Sequence, residues 1–203
     1  MKRALPAVLT VVAALLAAGC GQQEPAYTPR KAPQSTPASG SPTPATSQDP
    51  AVKTVWLGQR LRVRIERANT ADPLLNLMTD YYLNVRKAVA VGDDRRYLDD
   101  LSLPVARDAS SWVRAQIDGD KTLRGDARLY DLRINGPVDT GAQLEMCVDE
   151  TRVRTVSKRT GKALPGPAHW RAGPYLQIVY AHRDQGGAWR IRSLAYDPKG
   201  CAR

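Results

Sequence analysis

"VRAQIDGDKTLRGDARLYDLRI", residues 113–134, changes its hydrophobic period halfway along, and that change decides the fold. Before Gly119 the apolar residues recur at three and four positions: Ala109, Trp112, Val113 and Ile117 share one helical face, with Pro104 at the start and Gly119 at the stop. After Gly119 the spacing falls to two. "DARLYDLRI", residues 126–134, reads as a strand, and so do the patterned segments that follow it.

Toward the amino end the helical period continues. Asp72 is suited to cap a helix and Pro73 to occupy its first position. Leu74, Leu77, Met78, Tyr81, Val85, Ala88 and Val89 then form one apolar stripe that Gly92 ends. Asp93 or Asp94 is placed to cap a shorter helix carrying Tyr97, Leu98 and Leu101. Earlier still, "WLGQRLRVRIE" (residues 56–66) alternates Leu61, Val63 and Ile65 with Arg60, Arg62 and Arg64. Long arginine stems suit a strand or a short helix, so both readings stay open there.

Toward the carboxyl end, "AQLEMCVDE" (residues 142–150) sets Leu144, Met146 and Val148 on one face and Glu145, Cys147 and Asp149 on the other. "TRVRTVSK" continues to a turn at Arg159–Gly161, and "PYLQIVYAHR" and "AWRIRSLAY" flank "DQGG" as a hairpin. Helices followed by strands predict an α+β fold: three N-terminal helices packed on a curved antiparallel sheet, occupying residues 51–203.

Residues 1–50 have a different composition. Lys2 and Arg3 precede an apolar stretch, Ala4 to Ala18, too short to span a bilayer, and small residues lead into Cys20: the parts of a secretory signal peptide. The run "AAGC" resembles the lipobox of bacterial lipoproteins, in which the cysteine becomes the first mature residue and carries a diacylglyceryl group. Ala17 stands where leucine is commonest. The resemblance implies a signal peptide over 1–19, a lipidated Cys20, and a Pro/Ser/Thr-rich tether over 20–50 that cannot bury enough apolar surface to order itself. It places the protein on the outer face of the cytoplasmic membrane. With Cys20 lipidated, Cys147 and Cys201 remain as one disulfide in an oxidising compartment.

The order of elements, with "VGDDRRYLDDLS" around Asp93, Cys147–Val148–Asp149, Thr160–Gly161–Lys162, Trp189–Arg190 and the late Cys201, resembles the small secreted lipoproteins of actinobacteria that carry a nuclear transport factor 2-like domain. The resemblance covers residues 70 to 203. It implies a cone-shaped α+β roll whose inside can form a pocket, in a family that hosts isomerases, dehydratases and non-enzymes alike.

Catalytic signatures are absent: the chain has no G-x-S-x-G, no H-E-x-x-H, no phosphate-binding loop and no dinucleotide fingerprint. Two cysteines with His169 and His182 do not have zinc-ligand spacing, and no cofactor is implied. The candidate pocket residues are Tyr180 and His182, which share a strand face with Leu176 and Ile178, and Asp131, which shares one with Leu129 and Arg133. Each has a bland counterpart: a core tyrosine, a rim histidine, a structural ion pair.

Charge is the other signal. The chain carries a net +10, of which residues 51–203 hold +8 from 26 basic and 18 acidic side chains. Arg60, Arg62, Arg64 and Arg67 form the densest cluster, with Arg152, Arg154, Lys158, Arg159 and Lys162 second. Outside a cell the acidic partners for such a surface are anionic lipid, envelope polymer or another envelope protein. Nucleic acid is disfavoured, since no recognition motif is present. The expectation is a membrane-anchored, non-enzymatic domain that binds a ligand or partner; the alternatives are a cone-fold isomerase or dehydratase and a pocketless structural accessory.

Overall fold

Helix α1, Pro73–Val91, begins where its sequence supplies a cap. The Asp72 carboxylate accepts the N–H groups of Leu74 at 2.8 Å and Leu75 at 3.4 Å. At the far end Gly92 takes a left-handed conformation, φ 97°, and donates its N–H to the Ala88 carbonyl. The computed structural model describes residues 51–67, 72–92, 94–136, 140–166 and 172–201, all within one unit, Thr46–Arg203. The expected signal peptide, Cys20 and the expected tether lie outside the described residues, as does His169.

Two strands precede the helix, β1 (Ala51–Leu57) and β2 (Leu61–Arg67), so the arginine-rich alternation is a strand. Leu61, Val63 and Ile65 are buried while Arg62 and Arg64 face solvent. Helix α2 spans Leu103–Asp118, and β3 (Lys121–Asn135), β4 (Gly141–Ser157), β5 (Tyr175–Arg183) and β6 (Trp189–Asp197) follow.

The described residues hold two α-helices, not three. Where the short middle helix was expected there is a single 3-10 turn, Arg96–Leu98. The backbone just after it has a competing partner: the Ile191 N–H of β6 donates to Asp100 O at 2.8 Å, and the Ser102 N–H donates to Ile191 O at 2.9 Å. Residues 100–102 are thereby drawn onto the sheet, and a helix has no room to form.

The six strands lie in chain order, β1-β2-β3-β4-β5-β6. Every adjacent pair is antiparallel except β2 and β3, which run parallel, so the sheet is mixed where an antiparallel one was expected. Both helices lie between those two strands. A helical crossover returns the chain to the end of the sheet it left, which is the condition for parallel pairing.

One face of the sheet supplies Val63, Leu129, Leu144, Val148, Val179 and Ile191, all fully buried against Met78, Tyr82, Val89 and Val113 of the helices. The opposite face carries a second, small cluster, Cys147, Leu176 and Cys201, closed by the Cys147–Cys201 disulfide that fastens the tail beyond β6 to the middle of β4.

The β3–β4 ladder is irregular twice. Between Asp126 and Arg128 of β3 the facing residues step from Arg152 to Asp149, so β4 carries an extra residue. The Asp149 carboxylate fixes that bulge by accepting Thr151 N–H at 2.9 Å and the Thr151 hydroxyl at 2.6 Å. Beside it Gly125 has φ 120°, and a Cβ there would stand 2.1 Å from the Arg152 carbonyl oxygen. Further along, β3 carries the extra length between Tyr130 and Arg133, and Asp131 within it has φ 50°.

Candidate functional site

A cavity of about 620 Å³ opens between the two helices and the β5–β6 end of the sheet. Its walls follow from helical spacing. Tyr81, Val85 and Arg86 come from one side of α1, and Pro104, Val105, Asp108, Ala109 and Trp112 from one side of α2. The sheet contributes Tyr175 and Leu194, with Arg192, Ser193, Tyr196 and Pro198 around the opening. Tyr175 and Tyr196 meet edge to face, ring centres 5.9 Å apart.

The buried charged element of this wall is Arg86. Its Nε donates to Glu150 Oε1 at 2.8 Å, and the Tyr82 hydroxyl donates to the same oxygen at 2.7 Å. The guanidinium carbon lies 4.8 Å from the Tyr82 ring centre and 5.0 Å from that of Trp112. Glu150, 1% exposed, sits behind this layer. Burial alone would lower the Arg86 pKa, but the Glu150 charge and the neighbouring tyrosines outweigh it and hold the guanidinium charged. Burial, reinforced by Glu150, pushes the Tyr82 phenol well above its ordinary range. Tyr81 is raised by burial and by Tyr196 beside it. Tyr81, Tyr82 and Tyr196 are thus held as neutral phenols and Arg86 as a cation beside Glu150.

That arrangement suits retention more than proton transfer. The lining is aromatic and aliphatic, so it gains from burying an apolar molecule, and the tyrosine hydroxyls and the guanidinium edge offer hydrogen bonds. The carboxylate that borders the cavity is Asp108, whose side chain is 79% exposed at the opening. Among the described residues no group of three or more His, Cys, Asp or Glu is placed to hold a metal ion, and no helix is long and apolar enough to cross a membrane.

The candidate pocket residues are elsewhere. Tyr180 and His182 do share a face with Leu176 and Ile178, but it is the face away from the helices; Tyr175, Val179 and Ala181 point inward instead. Tyr180 is 39% exposed, and His182 is half-buried with its Nδ1 atom enclosed and without a hydrogen-bond partner among the described residues. Asp131 is exposed at the β3 irregularity, which breaks the alternation that would have aligned it with Leu129 and Arg133. None of the three lines the cavity, and they do not form one site.

The basic cluster is partly neutralised. Arg62 pairs with Asp126 and stacks 6.0 Å from the Trp56 ring centre, and Arg64 lies 3.7 Å from Glu66. Arg60 is exposed in the β1–β2 turn, its Nη1 close to Gly161, so it approaches the Lys158–Lys162 turn of the second cluster. The Arg67 side chain lies outside the described residues.

Sequence reading missed Arg86, Tyr82 and Glu150, although two signals were present. Glu150 continues the phase of Leu144, Met146 and Val148 and so belongs on the buried face. Tyr82 and Arg86 are four residues apart on α1 and share a face with Met78 and Val85.

No family model matches the chain, and no curated protein matches it. Among solved structures it is similar to the intermembrane-space region of the chloroplast protein ARC6, with 12% identity over 63% of this chain and 96% of that one and a TM-score of 0.45. It is also similar to a protein from Catenulispora acidiphila, with 13% identity over 61% of this chain and 90% of that one and a TM-score of 0.39. A third is a proposed aromatic ring hydroxylase from Novosphingobium aromaticivorans, with 14% identity over 62% of this chain and 90% of that one and a TM-score of 0.41. Likenesses of this size carry no argument about what the cavity does.

Proposed function

We propose that this is a lipid-anchored cell-envelope protein, with a signal peptide over residues 1–19, an acylated Cys20 and a tether to residue 50. In this reading residues 51–203 form a nuclear transport factor 2-like domain that binds an apolar molecule without transforming it. The observation that carries the binding reading is the cavity itself: aromatic walls around a guanidinium whose charge is already balanced by Glu150. A ligand there is held by apolar burial and oriented by a few hydrogen bonds. The enzyme alternative loses the residues first named for it, since Asp131, Tyr180 and His182 do not border the cavity. An envelope polymer or protein partner would meet the arginines and lysines of the β1–β2 and β4 turns instead.

The test uses the mature chain, residues 20–203, carrying Cys20→Ser, which has neither the apolar signal stretch nor the acyl anchor. N-phenyl-1-naphthylamine, an apolar dye that fluoresces when sheltered from water, should bind it saturably. Ala109→Trp fills the cavity from α2 and should abolish that uptake; unchanged uptake would refute the binding reading. Cys20→Ser should also abolish incorporation of labelled fatty acid in cells, and persistent labelling would remove the anchor.

A further inference from the structure

The most exposed large apolar side chain among the described residues is Leu103, 87% exposed. It is the first residue of α2 and adjoins Pro104, which lines the cavity. Its position is fixed from behind. The Ser102 N–H donates to Ile191 O at 2.9 Å and the Ser102 hydroxyl to Arg192 O at 3.3 Å, so the tip of α2 is stitched to β6. Across the opening Tyr196 and Pro198, both exposed, continue the apolar rim. The charges beside this rim are Arg107, Asp108, Arg192, Asp197 and Lys199. Arg107 and Asp108 lie 3.8 Å apart and balance one another, Lys199 offsets Asp197, and Asp100 is paired with Arg190 at 3.6 Å, which leaves Arg192 as the net positive charge of this group.

An apolar tip held rigidly, with a cation next to it and an apolar cavity directly behind it, has the chemistry of an interfacial contact. The leucine fits the acyl region of a bilayer while the guanidinium remains at the level of the phosphates. The net positive charge of residues 51–203 favours an anionic surface over a neutral one. We propose that the Leu103–Pro104 lip rests on an anionic phospholipid surface, and that the apolar ligand passes between that surface and the cavity without crossing water. This rests on the binding reading of the cavity. It adds where the ligand comes from and which side of the domain faces the membrane.

The experiment measures partitioning of the mature chain, residues 20–203 with Cys20→Ser, onto vesicles of phosphatidylglycerol and phosphatidylethanolamine in equal amounts. Leu103→Asp should lower the partition coefficient about tenfold, the size expected for withdrawing one leucine from an apolar phase, with the thermal midpoint unchanged. In a second variant, Leu103→Trp, the added fluorescence should be quenched by acyl chains brominated near the headgroup. The proposal is overturned if the parent chain does not partition, or if Leu103→Asp partitions like the parent. It is also overturned if charge reversal at Arg159 and Lys162 on the β4 turn abolishes partitioning while Leu103→Asp does not. Dye uptake separates the two readings: retained uptake with no effect of Leu103 removes the lip and leaves the cavity, whereas uptake unaffected by Ala109→Trp removes the cavity reading itself.

Discussion

Strand β4 carries two buried glutamates five residues apart, and they serve opposite faces of the sheet. Glu145, 5% exposed, lies on the outer face beneath Arg133 and accepts from Arg133 Nε at 2.8 Å, Asn135 Nδ2 at 2.9 Å and Gln143 Nε2 at 2.8 Å. Glu150 lies on the inner face, where one oxygen takes both the Tyr82 hydroxyl and Arg86. The outer carboxylate draws its donors from its own strand and its neighbour β3, and its cation is 54% exposed. The inner one draws them from α1, across the core, and its cation is 12% exposed. The first ties β4 to β3 on the outer face; the second joins sheet to helix and backs the Arg86 that lines the cavity.

The contrast can be broken by removing each in turn. Glu150→Ala leaves a buried guanidinium without its countercharge and should cost about 3–5 kcal/mol, read from urea denaturation. Replacing the trio together, with Tyr82→Phe, Arg86→Met and Glu150→Leu, should recover most of that loss, because the cost lies in the unbalanced charge and not in the absence of the pair. A loss as large as that of Glu150→Ala alone would mean the trio itself carries the stability. Next in size, replacing Cys147 and Cys201 together by serine should cost about 2–4 kcal/mol under oxidising conditions, since the bridge closes a long loop. Its effect should fall on β6 and the tail, seen as faster amide exchange there than in α1.

Glu145→Gln is smaller, about 1–2 kcal/mol at neutral pH, because Arg133 is half in water. It also has a pH signature. Hydrogen bonds from Asn135, opposed by burial and joined by Gln143 and Arg133, hold the Glu145 carboxyl below the usual range. Its contribution is therefore complete above the ordinary carboxylate pKa and disappears as pH falls through the lowered folded value. Parent and Glu145→Gln chains should differ at pH 7 and converge near pH 3 in parallel urea titrations. Smallest of all, Tyr180→Ala and His182→Ala on the outer face should leave dye uptake by the cavity unchanged, and a change of threefold or more would return the outer face to consideration as a site.

These effects also show how far residue patterns reach. The switch of period at Gly119, the caps at Asp72 and Gly92, and the Asp184–Gly187 hairpin were all legible because each is decided by a few neighbouring residues. The expected helix around Tyr97 stops at one turn because the backbone just after it, at Asp100 and Ser102, is claimed by Ile191, some ninety residues away. Parallel pairing of β2 with β3 was hidden for the same reason. At the site, alternation grouped Tyr180 with His182 correctly but could not say which face the helices cover. Glu150 was hidden by its own chemistry: a glutamate in phase with Leu144, Met146 and Val148 reads as an interruption until Arg86 and Tyr82 arrive from another element.

The parallel pair β2–β3 has a consequence for how the molecule assembles. Leu61 pairs with Gly125 and Ile65 with Leu129, contacts more than sixty residues apart, whereas β3 to β6 pair each with the next strand along the chain. Closing that long loop is slow compared with zipping up the local meander. The hairpin β1–β2 should therefore join the sheet late, and until β3 pairs with it the row Leu61, Val63 and Ile65 lacks the neighbouring strand that completes its cover. The alternating Arg62 and Arg64, which pair with Asp126 and Glu66 in the finished fold, also place charge along the strand during that interval, and charge on an unpaired edge disfavours pairing with another chain.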